Sequence, residues 1–234
     1  MTPADLQKYQ HIQLIAKDTI EFLKSFIKEG ISAQEIIEAS GKFMREKGVE
    51  SFWYHNLVAC VLVGSDTLLS VSGRFYKPTQ TKVQSNDLVT VDIGPAIGRY
   101  LGDFARSFII ENGKVVDVAN SKNQDLVEGI RTEEELHRQF QNFIHEDMSF
   151  EEAYIKMNTA IDSLGFENLD FKKNLGHSIA ANRDDQVWLE VGSKAKFKDV
   201  DLFAFEPHIK KPGGIYGFKQ EDIYYFENGK LGVL

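Results

Sequence analysis

The residues most able to do chemistry are acidic and come in two pairs. Asp92 and Asp103 stand eleven residues apart in LVTVDIGPAIGRYLGDFARSF, and Glu206 and Glu221 lie in LFAFE and QEDIYYF. Carboxylates brought side by side repel one another and require a proton or a cation between them. The bland alternative for the first pair is that one aspartate caps a turn and the other is a solvated strand residue. One of the six histidines, His177 in LGHSI, could add a nitrogen ligand to such a group.

The elements that must position these groups follow from periodicity. Val89, Val91 and Ile93 alternate with Thr90 and Asp92, the period of a strand, which puts Asp92 on the face opposite the branched residues. Phe104 and Phe108 share one face of a second strand, from Asp103 to Ile110, with Asp103, Ala105 and Ser107 on the other. Pro95, Gly98 and Gly102 supply the turn between them, so the pattern predicts a hairpin that sets the two aspartates together. Helical spacing predicts a helix over 5–29 ended by Gly30, and a second opened by the capping box Ser32/Glu35 and stopped at Gly48. Strands are expected at Leu57–Val63 and Thr67–Val71. A long helix is expected over about 116–146, and another from the box Ser149/Glu152 to Gly165. Further strands are expected near Leu175–Ala180, at Asp201–Ile209 and near Gln220–Phe226.

Two blocks repeat. Ser32, Glu35 and Gly48 map onto Ser149, Glu152 and Gly165 at a constant offset of 117, each after a longer helical segment. The acids follow: Asp92 is answered by Glu206 114 residues on, and Asp103 by Glu221 118 residues on. The expectation is one domain, 1–234, of two similar halves, about 1–113 and 114–234, whose packing about a pseudo-two-fold axis would bring four carboxylates to one point. Such a group calls for cations, most simply two divalent metal ions.

Composition narrows the partners. At 234 residues the chain can bury a substantial core, and 42% hydrophobic with 26% charged residues is ordinary for a globular protein. A formal charge of −8 without a basic run argues against nucleic acid. Cys60 is the only cysteine, so an intrachain disulfide is excluded. Neither a leader pattern nor an apolar run of membrane-spanning length is present, and the expectation is a cytoplasmic protein with no membrane partner.

D-I-G, a second aspartate in G-D-F-A-R-S, G-H, F-E-P and E-D before an apolar strand together resemble the methionine aminopeptidase, aminopeptidase P and prolidase family. The resemblance implies an α+β pita-bread fold: two pseudo-two-fold related halves with curved antiparallel sheet flanked by helices. It is to the catalytic domain alone of aminopeptidase P and prolidase. It also implies metal ligation by Asp92, Asp103, His177, Glu206 and Glu221, with Glu206 accepting a proton from the attacking water. The metal would be manganese, iron, cobalt or zinc, the substrate a small peptide, and the assembly a homodimer, which is common in the family.

Two positions depart from the family pattern. Phe75 stands where the peptidases place an imidazole before the first aspartate, and Asp184 stands where a second follows the G-H ligand. His208, two residues past Glu206 and so on the same strand face if Pro207 does not twist it away, and His55 in FWYHN are the candidate substitutes for lining the site. Two other readings stay open. In one the same metals act on a small nonpeptide molecule, by C–N or C–S cleavage or by oxidation at iron; in the other the fold serves only for binding.

Overall fold

The computed structural model describes every residue except 183 and 184. Among the described residues, four α-helices and fourteen short strands make up the regular elements, an α+β composition. Helix α1 spans Pro3–Phe26 and α2 Ala33–Glu46. The Ser32 box forms reciprocally: Ser32 Oγ accepts from the Glu35 amide at 3.3 Å, and Glu35 Oε2 accepts from the Ser32 amide at 2.8 Å. The same box at Ser149 and Glu152 opens α4, Phe150–Ser163. These ends were legible because each cap satisfies orphan amides with side chains only three residues away.

Strands β2 (Cys60–Val63), β3 (Asp87–Ile93), β6 (Phe104–Glu111) and β7 (Lys114–Val116) form one antiparallel sheet in the order β2-β3-β6-β7. The aspartate hairpin is therefore real, with Asp92 facing Ala105 across the β3–β6 ladder and Thr90 bonded to Ser107 at 2.9 Å. Its connection is richer than a turn. A small ribbon, β4 (Pro95–Ile97) and β5 (Tyr100–Leu101), is inserted there and pairs with β1 (Ser51–Phe52). Branched residues of this sheet pack on α1 and α2 through Ile12, Leu23, Ile36, Val61, Val91 and Phe108.

The later part of the chain builds a second sheet, β14-β13-β10-β9, from Lys230–Val233, Asp222–Glu227, Phe203–Phe205 and Gly176–Ser178. It packs on α4 and on α3, Gln124–Phe143, through an aromatic core. Phe140 stacks on Phe205 at 4.1 Å between centroids, and burial of each such ring is worth roughly 2–3 kcal/mol. A third ribbon, β12-β11-β8, is made from Gly217–Lys219, His208–Lys210 and Glu167–Asn168. The two large sheets meet where the Glu221 amide donates to the Ala105 carbonyl at 3.0 Å.

Three expectations are corrected, and one element is added. Residues 64–68 form a 3-10 turn, and Thr67–Val71 is no strand, because Thr67 Oγ1 turns back to the Gly64 carbonyl. The helix expected over 116–146 begins only at Gln124, after β7 and a 3-10 turn at Val118–Asn120. The strand expected over 201–209 breaks at Glu206 and Pro207. Its two pieces, β10 and β11, join different sheets, since proline has no amide to give a ladder. Strand β14 follows β13 and was not foreseen.

Candidate metal centre and substrate pocket

All five acid and imidazole residues line one cavity of about 360 Å³. Asp92 reaches it from β3, Asp103 from the residue before β6, His177 from β9, Glu206 from just past β10, and Glu221 from just before β13. Their ligand atoms fall into two clusters that share Glu221: Asp103, His177 and Glu221, and Asp92, Glu206 and Glu221. Within each the atoms lie no more than 4.8 Å apart.

The first cluster could hold a cation. Asp103 Oδ2 and both Glu221 oxygens are buried without a hydrogen-bond donor, an arrangement that costs free energy unless something positive or a proton fills it. Burial, reinforced by the charges of Asp92 and Glu206, holds Asp103 well above the usual carboxylate range. Burial with Asp103 and Glu206 does the same for Glu221. His177 Nδ1 faces the Ser178 carbonyl at 3.0 Å and donates to it. In the neutral ring the lone pair is then on Nε2, which lies 3.4 Å from Asp103 and 3.5 Å from Glu206. Trp53 and Trp188 meet the imidazole edge-on at 5.4 and 5.1 Å and fix its plane. An oxygen-rich set with one nitrogen suits a divalent ion.

Three residues absent from the sequence reasoning hold this geometry. Gln13 of α1, fully buried, clamps the Asp103 backbone with both ends of its amide: Nε2 donates to the carbonyl at 2.7 Å and Oε1 accepts from the amide at 2.9 Å. Arg106 donates to the Glu221 carbonyl at 2.7 Å and to Asp222 at 2.7 Å, which locks β13 to β6. Lys219 sends Nζ into the second cluster, 2.5 Å from Asp92 and 2.8 Å from Glu206, so the carboxylates already have one cation of the chain's own. Burial disfavours the Lys219 charge, but Asp92, Glu206 and Glu221 outweigh it and hold the ammonium well above the usual lysine range. Against its burial, the Lys219 charge holds Glu206 below the usual range. Lys219 was legible in principle: it lies two residues before Glu221, the spacing that returns an extended chain to the same face.

The pocket's other expected residues are placed as follows. His208 lines the cavity, although the strand break puts it in β11 rather than on a continuation of the Glu206 strand. Its Nε2 contacts the Thr67 carbonyl at 2.8 Å, and burial pushes the imidazole down to about 4. His55, in left-handed backbone (φ 52°), lines the same cavity half-buried. Phe75 stands at its mouth, 72% exposed. Asp184, with Arg183, lies outside the described residues. Tyr54, Phe171 and Trp188 add aromatic wall, and Arg74 and Lys172 add positive charge.

The model of metallopeptidase family M24 matches residues 7–228. The chain belongs to that family. By sequence this family member is similar to methionine aminopeptidase 1 of Bacillus subtilis (strain 168), 28% identical over 115 residues, 47% of this chain and 44% of that protein. The chain thus matches less than half the length of that relative. Among solved structures, X-Pro aminopeptidase from Thermotoga maritima MSB8 superposes with a TM-score of 0.82 over 100% of this chain and 61% of that one, at 16% identity. Prolidase from Pyrococcus furiosus gives 0.80 over 99% and 64%, at 17% identity. Methionine aminopeptidase from Rickettsia prowazekii gives 0.77 over 100% and 97%, at 12% identity. At these identities the likeness is one of fold, and the fold of this M24 chain is the pita-bread fold. Among the described residues no helix is long and apolar enough to cross a membrane.

Proposed function

We propose that this M24 chain is a divalent-metal-dependent hydrolase of short peptides, cutting at Xaa-Pro or other N-terminal bonds, with its metal ligands drawn from Asp92, Asp103, His177, Glu206 and Glu221. The observation that carries the reading is the Asp103–His177–Glu221 cluster, whose orphaned carboxylate oxygens face an imidazole with Nε2 turned toward them. A divalent ion held there, manganese, iron, cobalt or zinc, supplies Lewis acidity to a scissile carbonyl and acidifies water. Glu206, kept ionised beside Lys219, takes the proton of the attacking water. Tyr54, Trp188 and Phe171 offer apolar surface to a pyrrolidine ring and shield the reacting centre from bulk water. His208 and His55, which line the cavity, contact the substrate, and Asp184 is the further candidate for doing so. In this reading the chain is one domain, 1–234, of two repeated halves, about 1–113 and 114–234, each contributing one acid pair to the centre.

Phe75 supports a second reading. An exposed phenyl at the mouth gives no proton and no hydrogen bond to a tetrahedral intermediate, which suits a small nonpeptide substrate cleaved at a C–N or C–S bond. A panel of Xaa-Pro and Met-Xaa peptides with manganese or cobalt separates the two. Release of the N-terminal residue is the expected result. Inactivity across the panel, with bound metal verified by elemental analysis, refutes the peptidase reading and leaves the second.

A further inference from the structure

The two ligand clusters are chemically unequal. In the first, three buried carboxylate oxygens have no donor. In the second, Lys219 Nζ sits among the three acids, 2.5 Å from Asp92 Oδ2, 2.8 Å from Glu206 Oε2 and 4.0 Å from Glu221 Oε2. A divalent ion in that cluster would need the same oxygens at roughly 2.0–2.2 Å, within the volume the ammonium fills. We propose that Lys219 is a tethered cation that replaces one of two metal ions, so that this chain holds a single divalent ion, at Asp103, His177 and Glu221.

The placement of Lys219 is fixed by its backbone and by charge. Its amide donates to Ser107 Oγ at 3.1 Å, and the same hydroxyl lies 3.2 Å from its carbonyl. Strand β12 pairs it with His208 in β11. The side chain is only 15% exposed, so withdrawal of the ammonium would leave Asp92 and Glu206 facing each other without a counter-charge. One ammonium and one divalent ion leave four carboxylates with a single unbalanced negative charge. A second divalent ion beside the ammonium would reverse the sign of the site, like charges at contact distance in a partly dry pocket. Lys219 also changes what the site offers a substrate: an ammonium donates hydrogen bonds to a carboxylate or carbonyl but cannot be coordinated by it.

This inference rests on the metal-dependent reading above, and the test separates the two. Manganese is added in excess to chelator-stripped wild-type protein and to Lys219→Met and Lys219→Gln, unbound metal is removed by gel filtration, and the stoichiometry is measured by elemental analysis. The expected result is one ion per chain in the wild type and two in both variants. Electron paramagnetic resonance of the wild type itself gives a second readout that needs no variant to fold. An isolated manganese(II) six-line spectrum is expected, whereas an exchange-coupled pair overturns the proposal. So do two ions in the wild type, or one ion in folded variants. No ion in any of the proteins overturns the metal-dependent reading along with it.

Discussion

His137 gives a perturbation whose size can be worked through. The ring is buried in α3, its Nδ1 accepts from the Tyr224 hydroxyl at 2.8 Å, and its Nε2 donates to the Gln220 carbonyl at 3.2 Å, directly before Glu221. Burial pushes its pKa down from 6.5 to about 4, with Asp222 opposing and Arg106 assisting. A depressed imidazole binds fewer protons folded than unfolded, so its contribution is complete above pH 6.5 and is lost as the pH falls toward 4. Integrated down to pH 4.5, the loss is about 2.5 kcal/mol, or roughly 5–10 °C in Tm for a chain of this size. In His137→Gln the position no longer titrates. Urea unfolding of wild type and variant at pH 7.5 and 4.5 should show the wild-type advantage shrinking by about 2.5 kcal/mol at the lower pH. Subtraction removes the titrations common to both proteins: His208 with the same sign, and the raised Asp103, Glu133 and Glu221 with the opposite one. A difference that is the same at both pH values refutes the reasoning.

Two further outcomes test the site and its support. Manganese at a hundred times its Kd should stabilise the wild type by about 2.7 kcal/mol, a Tm rise of roughly 5–11 °C in differential scanning fluorimetry, and Asp103→Asn should abolish most of that rise; an undiminished shift removes Asp103 from the ligand set. Gly176 has φ +145°, and a Cβ there would lie 2.1 Å from the Ala204 carbonyl oxygen, so Gly176→Ala should lower the urea midpoint by the equivalent of about 3 kcal/mol or more and weaken manganese binding through the displaced His177. A variant as stable as wild type would show that β9 and β10 can part there at little cost.

What could be read from residue order was what short-range physics decides. The capping boxes at Ser32 and Ser149 close over three residues, and the alternation around Asp92 needs only the pleat of one strand. The acids and His177 stood out because few arrangements of such groups at those spacings avoid a cation. Where local signals were weak, reading failed: Thr67 made a turn, and Pro207 split one apparent strand between two sheets. Long-range packing alone decided the rest. Gln13 reaches Asp103 across ninety residues, Arg106 reaches Asp222 across 116, and Lys219 reaches Asp92 across 127. None of these pairs has a period, because a cation meets its carboxylates through the sheet-to-sheet junction at Ala105 and Glu221. Residue order was enough to single out the acids, the imidazole and the family they resemble. The lysine among the acids came from folding, because charge balance is struck where separate strands converge.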